Sequence, residues 1–166
     1  VLALVAAGQL ASFARLADDA AHAPELRTRI VLSRMAAGEL TSLEEIEARA
    51  HALGAAPEEF DDSIWSYREL LSEFDARLVP RDWWERLAKT YIGYGILLDL
   101  QREIVAGLSG ASPGVAAAPL AGTRHRDSGR AGPPPLPPAA PPPPARLARW
   151  GRRVAGAGPG AGARLP

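Results

Sequence analysis

One carboxylate in this chain stands where a carboxylate is expensive. Glu39 falls on the stripe Leu32, Met35, Glu39, Ser42, Ile46, Ala50 and Leu53, whose steps of three and four residues keep to one helix face. An isolated charge on such a face costs too much to persist, so it must be paired, protonated or bound to a metal. Two chemistries are open to it. Glu39 is a metal ligand, or it is a structural acid hydrogen-bonded to Gln9, which interrupts the stripe of the preceding helix, and to Ser42. The spacing Glu39-Leu-Thr-Ser42 is the i, i+3 frame in which di-iron helix bundles set a Glu and a His on one face toward their metals, with the imidazole missing here.

The other polar residues offer less. Glu44, Glu45 and Glu47 form an acidic run, with Glu45 and Glu47 off the stripe, and read as a solvated face. Asp99 and Glu103 are an i, i+4 pair facing solvent or Arg102, and His22 and His51 lie near helix ends without a carboxylate at ligand spacing. No Ser, His and Asp arrangement, phosphate loop or zinc pattern occurs, and the lack of cysteine excludes disulfides and thiolate metal sites.

Four helices must position these residues. The first, near 1–20, carries Leu2, Val5, Gln9, Phe13, Leu16 and Ala20 on one face; the second spans 24–53, with Pro24 in its first turn and Gly54 as a left-handed cap. A third, near 58–79, steps through Phe60, Ile64, Tyr67, Leu71, Phe74 and Leu78 until Pro80, with no polar interruption. The fourth runs over 82–108 behind a capping box, Asp82-Trp-Trp-Glu85, and its face reads Trp84, Leu87, Tyr91, Tyr94, Leu98, Gln101, Val105 and Leu108. Gly93 and Gly95 beside Tyr94 suggest close approach by another helix or a ligand.

Beyond Ser109 the composition changes. Of the 56 residues from Ala111 to Pro166, 44 are Ala, Pro, Gly or Arg, too poor in helix formers and apolar bulk to offset the entropy of ordering. The expected division is therefore a helical domain at 1–109 and a disordered, low-complexity tail at 110–166. Charge divides at the same place: 18 acids against 11 bases up to residue 110, then eight Arg against Asp127. An acidic body argues against nucleic acid there, and a basic tail is drawn to phosphate or to the body itself. No apolar run reaches the roughly 20 residues that span a bilayer. Val1 to Leu10 lacks the basic leader of a signal peptide, so a cytoplasmic, soluble protein is expected.

Whole helices then show a likeness. Gly8-Gln-Leu-Ala-Ser-Phe-Ala-Arg-Leu-Ala-Asp-Asp19, Met35-Ala-Ala-Gly-Glu-Leu40, Asp82-Trp-Trp-Glu-Arg-Leu-Ala-Lys-Thr-Tyr-Ile-Gly-Tyr-Gly-Ile96 and Arg102-Glu-Ile104 resemble the actinobacterial ferritin-like proteins. Those are grouped with the tRNA hydroxylase that acts on methylthio-isopentenyl-adenosine. The resemblance covers about residues 1–108 and implies an all-α, ferritin-like helical bundle, incomplete at its C-terminus, and in the hydroxylases a di-iron centre that activates oxygen. Carried over by position, it implies that Gln9 stands where the first helix keeps a Glu, and that Glu39 is the residual acid of the second helix. It also implies that Ser42 replaces the following His, that Tyr94 occupies the third acid position, and that Gly122-Thr-Arg-His125 keeps an imidazole while Gly122 replaces its acid. One carboxylate and His125 cannot hold two irons. The expectation is a degenerate member with no cofactor and no catalysis, with tRNA a partner only if the family's function survives.

The tail has its own readings. Arg146-Leu-Ala-Arg-Trp-Gly-Arg-Arg-Val-Ala-Gly156 resembles the start of the family's fifth helix, and Lys89 as the only lysine beside eighteen arginines suggests a GC-rich genome. Residues 110–145, and those after 156, would then be a shifted reading of the missing helices. Alternatively the tail is native: Pro133 to Pro144 favours polyproline II and is either a linker or a segment that docks on a partner's aromatic groove. Without a fourth bundle helix the apolar faces are left open, and self-association is expected.

Overall fold

A proline and a glycine set the first two corners of the fold. The computed structural model describes residues 1–93, 148–149 and 151–153, excepting the side chains of 69–75 and 77. Its helices are α1 Leu2–His22, α2 Leu26–Ala52 and α3 Pro57–Arg77. A fourth helix, α4, covers residues 83–93 and a helical turn covers 151–153; no strand occurs among the described residues.

Pro24 acts differently from the expectation that it opens α2. It restricts the residue before it to extended backbone, and Ala23 sits at φ −62°, ψ 128°. Glu25 is extended as well, so α2 starts at Leu26 and Pro24 lies in the corner. At the other end Gly54, with φ 93°, closes α2 as a Schellman motif: its N–H donates to the His51 carbonyl at 2.9 Å and Ala55 N–H donates to the Ala50 carbonyl at 3.1 Å. Leu53 therefore falls beyond the helix and is exposed instead of continuing the stripe. α3 ends at Arg77, three residues before Pro80.

α1 and α2 form an antiparallel hairpin whose two ends are apolar. Ala3, Val5, Ala6 and Ala7 pack with Ile46 and Ala50, joined by Phe60 and Ile64 of α3. At the opposite end Leu16, Ala20 and Ala23 pack with Leu32 and Ala36, joined by Trp83. α3 packs mainly on α1.

The start of α4 is capped by the side chains of Asp82 and Glu85: Glu85 N–H donates to Asp82 Oδ1 at 2.9 Å, and Glu85 Oε2 accepts from Arg81 N–H at 2.9 Å. Of the expected inward face Trp84, Leu87 and Tyr91, Leu87 is buried and Tyr91 is not. Tyr91 is 51 % exposed, whereas Leu87 and Thr90 are buried and Trp83 packs on the Leu16 cluster. The helix is turned by its polar residues, which find carboxylates on α1. Asp99, Glu103 and the expected positions of α4 past Gly93 lie outside the described residues.

Candidate functional site

Between the two apolar ends of the hairpin lies a polar layer. Gln9 and Ser12 of α1 and Glu39 and Ser42 of α2 are all buried, Gln9 at 2 % and Glu39 at 3 % exposure. The antiparallel register brings them to the same level, since Gln9 and Glu39 are equally far from the Pro24 corner. Both belong to the inward ridges: Val5, Gln9, Ser12, Leu16 and Asp19 on α1, and Thr28, Leu32, Ala36, Glu39, Ser42, Ile46 and Ala50 on α2.

Two of the described polar atoms of this layer are not directed at Glu39 by any described bond. Ser42 Oγ donates to the Gly38 carbonyl at 3.1 Å, so its hydroxyl is spent on its own helix and not on Glu39. Gln9 Oε1 is buried and accepts no hydrogen bond among the described residues. Glu39 itself is engaged. Tyr94, Gly122 and His125 lie outside the described residues. Elsewhere, Glu44 is exposed and Glu45 and Glu47 half-buried. His22 binds Asp18 at 3.2 Å, and His51 meets Phe60 edge to face at 6.3 Å between ring centroids. Among the described residues no three His, Cys, Asp or Glu side chains cluster as a metal site would require.

A second polar group, unnoticed in the sequence, closes the other half of α1. Asp19 is 1 % exposed. Its Oδ2 accepts from the Thr90 hydroxyl, and its Oδ1 accepts from Arg86 Nη1 at 3.1 Å. Arg86 also binds Asp18, which in turn holds His22, so a chain of polar side chains ties the end of α1 to α4. Burial pushes the Asp19 carboxyl above its ordinary value despite the opposing pull of Thr90 and Arg86. Arg86 is only partly buried; it too loses hydration, but its bonds to the two carboxylates outweigh that and raise its pKa. The signal was present: Asp19 lies three residues after Leu16 on the ridge that carries Gln9.

An antiparallel helical hairpin flanked by two further helices, with a polar layer at mid-height, is the frame of a ferritin-like bundle. The chain belongs to the ferritin-like domain family of actinomycetes, whose family model matches residues 1–164. No curated protein matches it. The matched region takes in the Ala, Gly, Pro and Arg-rich stretch. Within that stretch the turn at 151–153 sets Gly151 against α4, where a Cβ would lie 3.1 Å from Ile92 Cδ1. No helix among the described residues is long and apolar enough to cross a membrane.

Proposed function

We propose that this chain is a ferritin-like family member that has given up di-iron chemistry and has no catalytic activity, persisting as an inactive relative or as a helical interaction module. The observation that carries this reading is Gln9: a buried neutral amide whose Oε1 accepts no hydrogen bond among the described residues stands where the resemblance calls for an acid. Ser42, at the position of the paired imidazole, bonds back to Gly38. Of the ligand positions within the described residues only Glu39 offers a donor suited to iron, and one carboxylate does not fit a group that needs several oxygen and nitrogen donors. On this reading no cofactor is bound.

Iron loading of the full chain is the test. Protein exposed to ferrous iron without oxygen and then to air should retain far less than about two irons per chain and show no oxo-bridged absorption band. Stoichiometric iron that Glu39→Ala removes would end this reading. It would favour the second one, a di-iron hydroxylase acting on tRNA, which draws on family membership and on the buried Glu39.

The interaction-module form of the proposal draws on the approach of Gly151 to Ile92 of α4. It makes residues 1–109 the bundle domain and 110–166 a separate segment, held to α4 at Gly151 and offering Pro133 to Pro144 to a partner. A cytoplasmic location and self-association through open apolar faces complete this picture.

A further inference from the structure

The face of α2 that turns away from the polar layer is largely apolar from Leu26 to Leu40. Leu26, Ile30, Ser33, Ala37 and Leu40 follow at steps of three and four, and all are exposed, Leu26 at 72 %, Ile30 at 42 % and Leu40 at 36 %. The hydroxyls along this strip turn back on their own helix: Ser33 Oγ donates to the Arg29 carbonyl at 2.9 Å and Thr41 Oγ1 to the Ala37 carbonyl at 3.3 Å. Beside the strip a groove of about 420 Å³ opens between the helices of the hairpin, with Phe13 and Ala17 of α1 on one wall and Ser33, Ala37 and Leu40 of α2 on the other. α3 packs mainly on α1, and Arg86 and Thr90 tie α4 to Asp18 and Asp19, so neither covers the strip.

Charge along the same helix is divided. Arg27, Arg29 and Arg34 stand in its first half with no acid between Leu26 and Gly38, whereas Glu44, Glu45 and Glu47 follow in the second half. Arg29 gives an N–H to the Ala21 carbonyl at 3.2 Å, a neutral acceptor that does not cancel its charge. Arg27 and Arg29 lie ten and eight residues before Ala37, and Glu44 and Glu47 lie seven and ten residues after it. An identical helix laid antiparallel about Ala37 therefore brings the arginines of each copy to within a helical turn of the level of the other copy's glutamates. The chain's own tail offers only half of that match: residues 110–166 carry eight Arg against Asp127, so they complement Glu44 and Glu47 but are repelled by Arg27 and Arg29.

We propose that this face of α2 binds the same face of a second copy in an antiparallel, two-fold pair centred on Ala37. The inference rests on the self-association proposed above and gives it a definite surface. A two-fold pair uses one patch twice, so the patch must complement itself, which the divided charges of α2 do. Ala37 is small enough to let the two helices approach closely at the centre. Leu40 of each copy falls at the level of the other's groove, between Phe13 and Ala17 on one side and Ser33 and Ala37 on the other, and the ion pairs close both ends. The interface is separate from the Gln9 and Glu39 layer and does not depend on whether that layer holds a metal.

The test is analytical ultracentrifugation of the full chain, which should sediment as a dimer. Ala37→Arg, at an exposed helix position, should convert it to monomer. Arg27→Glu with Arg29→Glu and, in a second variant, Glu44→Lys with Glu47→Lys should each weaken association by about tenfold or more, because like charges then meet at both ends. An equimolar mixture of these two variants should restore a dimer, since each introduced Glu faces an introduced Lys and each remaining Arg faces a remaining Glu. None of the substituted residues is buried, and thermal melts report whether each variant folds. A monomeric parent chain would overturn both this pairing and the self-association on which it rests. A dimer indifferent to Ala37→Arg and to both charge reversals in folded protein would overturn the pairing alone and leave self-association through another face. Charge variants that fail to recombine in the mixture would overturn the antiparallel arrangement.

Discussion

Two buried polar side chains sit ten residues apart on one ridge of α1, and they are served very differently. Asp19 has a donor for each carboxylate oxygen, Thr90 and Arg86, both brought from α4. Gln9 has a buried carbonyl oxygen that accepts nothing among the described residues. A buried polar group leaves water at a cost that only partners offset, so a group that serves the fold arrives with them. Asp19 is such a group. Gln9 Oε1 has no such partner among the described residues, the contrast that the proposed loss of a metal ligand predicts.

The largest effect expected from this contrast is at Asp19. Asp19→Ala leaves the Thr90 hydroxyl without its buried acceptor and Arg86 with Asp18 alone, and should cost about 1–3 kcal/mol in urea denaturation. Asp18→Ala is the control: its carboxylate is half exposed, and the same measurement should show about 1 kcal/mol or less. If the two substitutions cost the same, the Asp19 cluster is not what holds α4 against α1.

At Gln9 the sign should reverse. Gln9→Met keeps the unbranched shape while removing the unpartnered oxygen, and an unsatisfied buried acceptor costs about 1–3 kcal/mol, so a gain of about 1 kcal/mol in stability is expected. A loss of that size would mean that the amide is anchored, and the contrast with Asp19 would collapse.

These two residues also mark how far the sequence could be read. The layer around Glu39 was legible because helical periodicity is local: Glu39 and Ser42 break an apolar stripe of their own helix, and the structure buries both. Gly54 and the Asp82 cap were legible for the same reason, being fixed by a few neighbouring residues. The inward face of α4 was not, because its orientation depends on a pairing across 71 residues, between Thr90 and Asp19. Counting apolar residues placed Tyr91 inside and gave no weight to Arg86 and Thr90. Asp19 stayed hidden because it follows Asp18 at a helix end, where a pair of acids ordinarily faces water.

The smallest effect, and the finest probe of the same contrast, is the pH dependence carried by Asp19. Burial raises its pKa in the folded chain above the ordinary carboxylate value. Between those two values the folded chain binds more protons than the unfolded one, so stability falls as pH rises through that window and levels off above it. Asp19→Asn removes the titration while keeping the shape. Subtracting its stability from that of the parent chain, pH point by pH point, cancels the groups common to both: Asp18, His22, Arg15, Lys89 and, to the extent that its pairing survives, Arg86. The difference should decline through the window just above the ordinary carboxylate range. A difference that rises there would mean that Arg86 and Thr90 outweigh burial. Asp19 would then be an ion-pair member whose charge stabilises the fold, and its distinction from Gln9 would lie in net charge stabilisation as well as in satisfied hydrogen bonds.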